Sequence, residues 1–99
     1  MSPQAKEEIS LITELFYMPV AQKNRRYNGM DFMEVAFQVK NELLRQNPST
    51  DMQEAALVMV ETFNSKLTPK MSREDVEGMA RMIAKYSSFA AMLKSVRGY

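Results

Sequence analysis

Cysteine, histidine and tryptophan are absent from this 99-residue chain. Without the first two there are no disulfides, no Cys/His zinc site, no thiol nucleophile and no histidine-based triad. The three glycines are too few for a glycine-rich phosphate cradle, and none sits in such a pattern. The longest apolar run, Ala55 to Val60, has six residues, where a membrane span needs about twenty. The opening Met-Ser-Pro-Gln-Ala-Lys-Glu-Glu has no apolar leader core. These absences predict a small cytoplasmic protein with neither catalytic machinery nor cofactor. What is present fits one folded domain, with 45% hydrophobic and 25% charged residues.

The net charge of +1 is nearly neutral, but its distribution is uneven. Residues 20–29 hold Lys23, Arg25 and Arg26 with no acid. Residues 79–99 hold Arg81, Lys85, Lys94 and Arg97, again with no acid. Acids gather at expected helix starts and bases at expected helix ends, as the helix dipole favours.

Apolar spacing predicts four helices over about 3–17, 31–46, 51–65 and 73–97. Ser2-Pro3 opens the first, which turns Ala5, Ile9, Ile12 and Phe16 to one face with Leu15 beside them. Pro19 is expected to end it near Tyr17, leaving a loop from Pro19 to Met30. Asp31 to Glu34 has the form of a capping box, and the helix behind it buries Phe32, Val35, Ala36, Val39 and Leu43. Met33, Phe37 and Leu44 lie roughly 100–140° around that helix. They make a second stripe, so the helix is either packed on two sides or carries an exposed apolar patch. Thr50 to Gln53 opens the third helix, with Met52, Ala56, Met59 and Phe63 inward and Ala55 and Val60 as shoulders. Ser72 opens the fourth, where Val76, Met79, Ala80, Ile83 and Ala90 share a face. Past Tyr86 the stripe moves to Phe89, Leu93 and Val96, and Ser87-Ser88 marks a kink or the N-cap of a short fifth segment. Gly98 sits where a C′ glycine would end the helix. No segment alternates as a strand does. The expected fold is all-α: a single antiparallel four-helix bundle with short loops.

Candidate sites are few. The paired acids Glu7/Glu8 and Glu74/Asp75, with Glu34, lie in first turns and read as helix stabilisers, not as acid–base pairs. No oxygen-rich loop suits a metal. The ten methionines read mainly as core filling. A methionine-lined groove for a partner's apolar helix is the alternative, with Met33, Phe37 and Leu44 as its best candidates. The C-terminal segment interleaves Arg81, Lys85, Lys94 and Arg97 with Tyr86, Phe89 and Tyr99. Its readings are a solvated helix face, a protein or membrane-surface contact, or a nucleic-acid contact.

Ile12-Thr13-Glu14-Leu15-Phe16 is an aliphatic-x-Glu-Leu-aromatic stretch. Arg26-Tyr27, Glu34-Val35, Val39-Lys40 and Leu43-Leu44 follow as a basic-Tyr lead into the second helix, and Phe63 to Thr68 as the turn after the third. In these features and in its length, the chain resembles the immunity proteins of pediocin-like bacteriocins, of the enterocin A immunity type. The resemblance implies four antiparallel helices and a protein that binds without catalysis. It also implies a partner, the mannose phosphotransferase permease, engaged on its cytoplasmic side when bacteriocin is bound. Specificity in that family lies mainly in the C-terminal half. By region this maps onto Arg81, Lys85, Lys94, Arg97 and Tyr99.

Two other readings compete. A nucleic-acid-binding regulator would bring Arg25, Arg26, Arg81, Lys85, Lys94 and Arg97 onto one face. A homodimeric scaffold would use the second stripe of the second helix and lose its dimer on Phe37→Glu.

Overall fold

Proline inside a helix removes one backbone hydrogen bond and crowds the preceding turn, at about 3 kcal/mol. The first helix nevertheless runs through it: α1 spans Pro3–Asn24 with Pro19 inside. The expected stop near Tyr17 is therefore wrong. Pro19 is exposed, while Tyr17 and Val20, on either side of it, pack against the core. That inner-face packing holds the last turns helical, and water can serve the carbonyl the proline leaves without a donor.

The computed structural model describes residues 1–24 and 29–97, with the side chains of residues 22–24 excepted. Among the described residues there are five helices and no strand. After α1 come α2 (Gly29–Gln46), α3 (Met52–Asn64), α4 (Arg73–Lys85) and α5 (Phe89–Arg97). α2 starts before Asp31, which lies in its first turn and is not its cap. Arg25, Arg26, Tyr27, Asn28, Gly98 and Tyr99, and with them part of the expected loop and the C′ glycine, lie outside the described residues.

The starts of α1, α3 and α4 are capped as short polar side chains allow. Ser2 Oγ accepts from Ala5 N at 3.1 Å, and Ser72 Oγ from Asp75 N at 3.1 Å. At α3 the cap is Asp51, whose Oδ1 accepts from Glu54 N at 3.3 Å. Thr50, one residue earlier, instead donates its hydroxyl to the Asn47 carbonyl. Each such cap is worth about 1 kcal/mol. At the far end of α2, Arg45 and Gln46 donate to Glu42 and hold its carboxyl down at about 2.

α1, α2 and α3 meet at an aromatic cluster. The Phe32 and Phe63 rings stack with centroids 4.0 Å apart. Tyr17 stands edge-on to both, at 5.8 and 5.3 Å. Ala55, Ala56, Met59 and Val60 of α3 complete the centre, and α4 packs along α3 through Val76, Ala80 and Ile83. Between them the chain passes through a cis Thr68–Pro69 peptide, and Asn64 Oδ1 accepts from Met71 N at 2.8 Å.

The core differs from the expected stripes at two places. On α1, Ile9 and Thr13 are the buried residues, whereas Leu15 is 72% exposed and Phe16 sits at the surface. The buried face is rotated from the one expected, because Thr13 satisfies its hydroxyl on the Ile9 carbonyl at 2.7 Å and can go inward. On α5, Met92 is buried and Ala90 exposed. No helix among the described residues is long and apolar enough to cross a membrane.

Candidate functional site

The C-terminal part of the chain is placed by a lysine. Lys40, on α2, is buried, and its ammonium donates to the carbonyls of Ile83 at 2.8 Å, Ala84 at 3.3 Å and Tyr86 at 2.6 Å. The last carbonyls of a helix lack intrahelical donors and carry the negative end of its dipole. A cation there both caps α4 and fixes where it stops. Tyr86 then takes an extended conformation (φ −88°, ψ 147°). Ser88 opens α5 by accepting from Ala91 N at 3.0 Å, so Ser87-Ser88 is a break between two helices. Two more contacts seat α5. The Phe89 ring lies 6.3 Å from Phe37, and the Tyr86 hydroxyl pairs with Ser95 Oγ at 2.9 Å. Burial lowers the pKa of Lys40 below its ordinary 10.5.

This arrangement settles the second stripe of α2. Met33 and Phe37 are 3% and 2% exposed, and Leu44 is half-buried. They are not an exposed patch: α2 is packed on two sides, and α5 covers Phe37. Phe37 therefore offers no exposed ring to a second copy in this arrangement.

A methionine-lined groove does form, but of the expected residues it keeps only Met33. Met30 and Met33 of α2, Met79 and Met82 of α4 and Met92 of α5 line a hollow of about 330 Å³ with Leu93 and Val96. Its floor is buried Met33 and Met92, and its rim includes Met30 and Val96, which are 44% and 62% exposed. The signal in the sequence was the spacing of Met79, Met82, Met92 and Val96. It could not be read as a groove without the break at Tyr86.

The basic segment is divided by that break. Arg81 and Lys85 lie on α4, exposed; Arg81 lines hollows shared with Asp51, Glu54 and Glu77, and Lys85 one shared with Asp51. A stretch with no acid in sequence thus has acids beside it in space. The Lys85 ammonium sits 5.3 Å from the Tyr86 ring centroid. Lys94 and Arg97 lie on α5, three residues apart and exposed. The helix repeat puts Arg97 within roughly 40° of Leu93, at the edge of the face that lines the groove. Tyr99 lies outside the described residues. The four described positions therefore do not form one patch: two lie beside the start of α3, Arg97 is at the edge of the groove, and Lys94 points to the other side of α5.

Among the described residues no three acidic side chains gather as metal ligands would. Glu14 is paired with Lys66 at 2.8 Å and Glu54 with the chain's amino group at 3.3 Å, both at the surface. No protein-family model, no curated protein and no solved structure matches the chain.

Proposed function

We propose that this chain is a non-catalytic binding protein of the bacteriocin-immunity type. It would protect its cell by engaging the bacteriocin-bound mannose phosphotransferase permease from the cytoplasmic side. The observation that supports this reading best is the groove: an apolar trough lined by five methionines, open at Val96, with Arg97 at the edge of the α5 face that lines it. Unbranched thioethers can repack around a partner's apolar side chains. The exposed cations of α5, Lys94 and Arg97, suit a target embedded in an anionic membrane face, where each is worth about 1 kcal/mol. In this reading the first four helices form an antiparallel bundle, and α5 is the element that meets the partner. The nucleic-acid alternative gains little support from the geometry, because Arg81 shares its surroundings with Asp51, Glu54 and Glu77, and Lys85 with Asp51.

The test is protection of a bacteriocin-sensitive cell that expresses the chain. Reversing both charges, Lys94→Glu with Arg97→Glu, should lower protection by roughly tenfold or more. Val96→Glu, at the rim of the groove, should act in the same direction. Circular dichroism should be unchanged for both, since all three side chains are exposed. Full protection by both variants would remove α5 from the mechanism, and no protection by the unaltered chain would remove the immunity reading.

A further inference from the structure

A chain without cysteine and histidine lacks the usual soft metal ligands but keeps one other, the methionine thioether, and here there are ten. Five of them meet in one place. Met30 and Met33 stand three residues apart on α2, and Met79 and Met82 three apart on α4. Side chains at that spacing are neighbours on one helix face. Both pairs line the hollow of about 330 Å³, and Met92 joins them from α5. Pairs of ligands three apart on two packed helices are how helical bundles assemble metal sites, and α2 packs against both α4 and α5. The cluster is graded: Met33 and Met92 are 3% and 2% exposed, Met79 and Met82 half-buried, and Met30 44% exposed at the rim. Its floor is enclosed and its mouth is open to an ion.

We propose that this cluster is a binding site for a soft monovalent cation, Cu(I), held by the thioethers of the two pairs and of Met92. Thioether sulfur is soft and selects Cu(I) over the hard cations that carboxylates and carbonyls hold. Thioethers are also neutral, so they leave the ion its full charge in apolar surroundings. That penalty grows steeply with charge, and it favours a singly charged ion over a divalent one. The unbranched side chains have the torsional freedom to turn their sulfurs onto an ion. Arg97, at the edge of the α5 face that lines the hollow, opposes a cation, but it is exposed and screened by water. The site is made by α2, α4 and α5 alone and does not rest on the immunity reading.

The test is a titration of the full chain, its methionine methyls labelled for NMR, with Ag(I) as a redox-inert stand-in for Cu(I). The methyl signals of Met30, Met33, Met79, Met82 and Met92 should shift together, and those of Met1, Met18, Met52, Met59 and Met71 should stay. Cu(I) itself, measured without oxygen against a chromophoric chelator, should bind equally well between about pH 6 and 8, because a thioether has no proton to lose. The chain's amino group, the rival ligand beside the Met1 sulfur, would instead bind better as pH rises. Met79→Leu with Met82→Leu keeps volume and apolarity, and should weaken binding by at least roughly tenfold with helicity unchanged. Met30→Leu, at the rim, should act in the same direction, and Met18→Leu should leave the affinity alone. No shift, shifts confined to Met1 and Met18, or shifts spread evenly over all ten methyls would overturn the site. So would an affinity that follows the titration of the amino group, or one indifferent to the loss of Met79 and Met82.

Discussion

Phe32→Ala is expected to destabilise the fold by about 3–5 kcal/mol, a large share of the roughly 5–15 kcal/mol that holds a domain of this size together. Phe32 is fully buried, and its ring stacks on Phe63 and meets the edge of Tyr17. The truncation therefore opens a cavity where α1, α2 and α3 meet, and removes both aromatic contacts at once. α1 should suffer most. Its turns beyond Pro19 are held by packing, and Tyr17 is one of the residues that supplies it. Phe32→Leu, which keeps much of the volume, should cost far less. The measurement is the urea midpoint at constant slope, with helicity as the probe. A loss below about 1 kcal/mol for Phe32→Ala would mean the cluster is not the centre of the core.

Lys40→Met should cost roughly 2–3 kcal/mol, and its effect should be local before it is global. Three carbonyls at the end of α4 would lose their donor, and each buried acceptor left alone costs about 1–3 kcal/mol before any rearrangement. Amide exchange in the last turn of α4 and throughout α5 should accelerate more than in α3. The pH dependence follows from the lowered pKa of Lys40, whose cause is desolvation. Between that lowered value and 10.5 the unfolded chain holds the lysine proton more often than the folded one. This group's contribution to stability therefore increases as pH rises through that window. Lys40→Met should lack the increase, so the stability gap between the two chains should widen with pH there. Equal exchange in α3 and α5 would show that Lys40 does not set the α4–α5 junction.

Much of the local structure was legible because it depends on neighbours in sequence. Ser2 and Ser72 cap helices as their positions imply, and the inward face of α3 follows its spacing. Asp51 replaced Thr50 as a cap by one residue, a choice between two acceptors that periodicity does not decide. The departures depend on contacts distant in sequence. Helix continuation through Pro19 rests on Tyr17 meeting Phe32 and Phe63. The burial of Met33 and Phe37 rests on α5 folding back over α2, which itself rests on Lys40 reaching across to Ile83, Ala84 and Tyr86. A lysine in an amphipathic helix reads as a surface residue, and only a helix end brought against it makes burial worthwhile. The basic segment was visible as composition. Its division was not, since the acids beside Arg81 come from α3 and from Glu77.

The groove and the exposed Leu11, Leu15 and Met18 of α1 share an origin: both are apolar residues in excess of what one small core can absorb. Each helix that carries two apolar faces must bury the second against another element or leave it for a partner. α2 solves this within the chain by packing α5 over its second face. α1 has no such cover among the described residues, and α5 covers Phe37 while leaving Val96 at the rim of an open trough.

The most direct measurement is the killing concentration of a panel of pediocin-like bacteriocins against a sensitive cell, with and without this chain expressed inside it. The proposed function predicts a large rise for one peptide, or a few related ones, and none for the rest. No change for any peptide across a broad panel, with the chain present and folded in the cell, would contradict it.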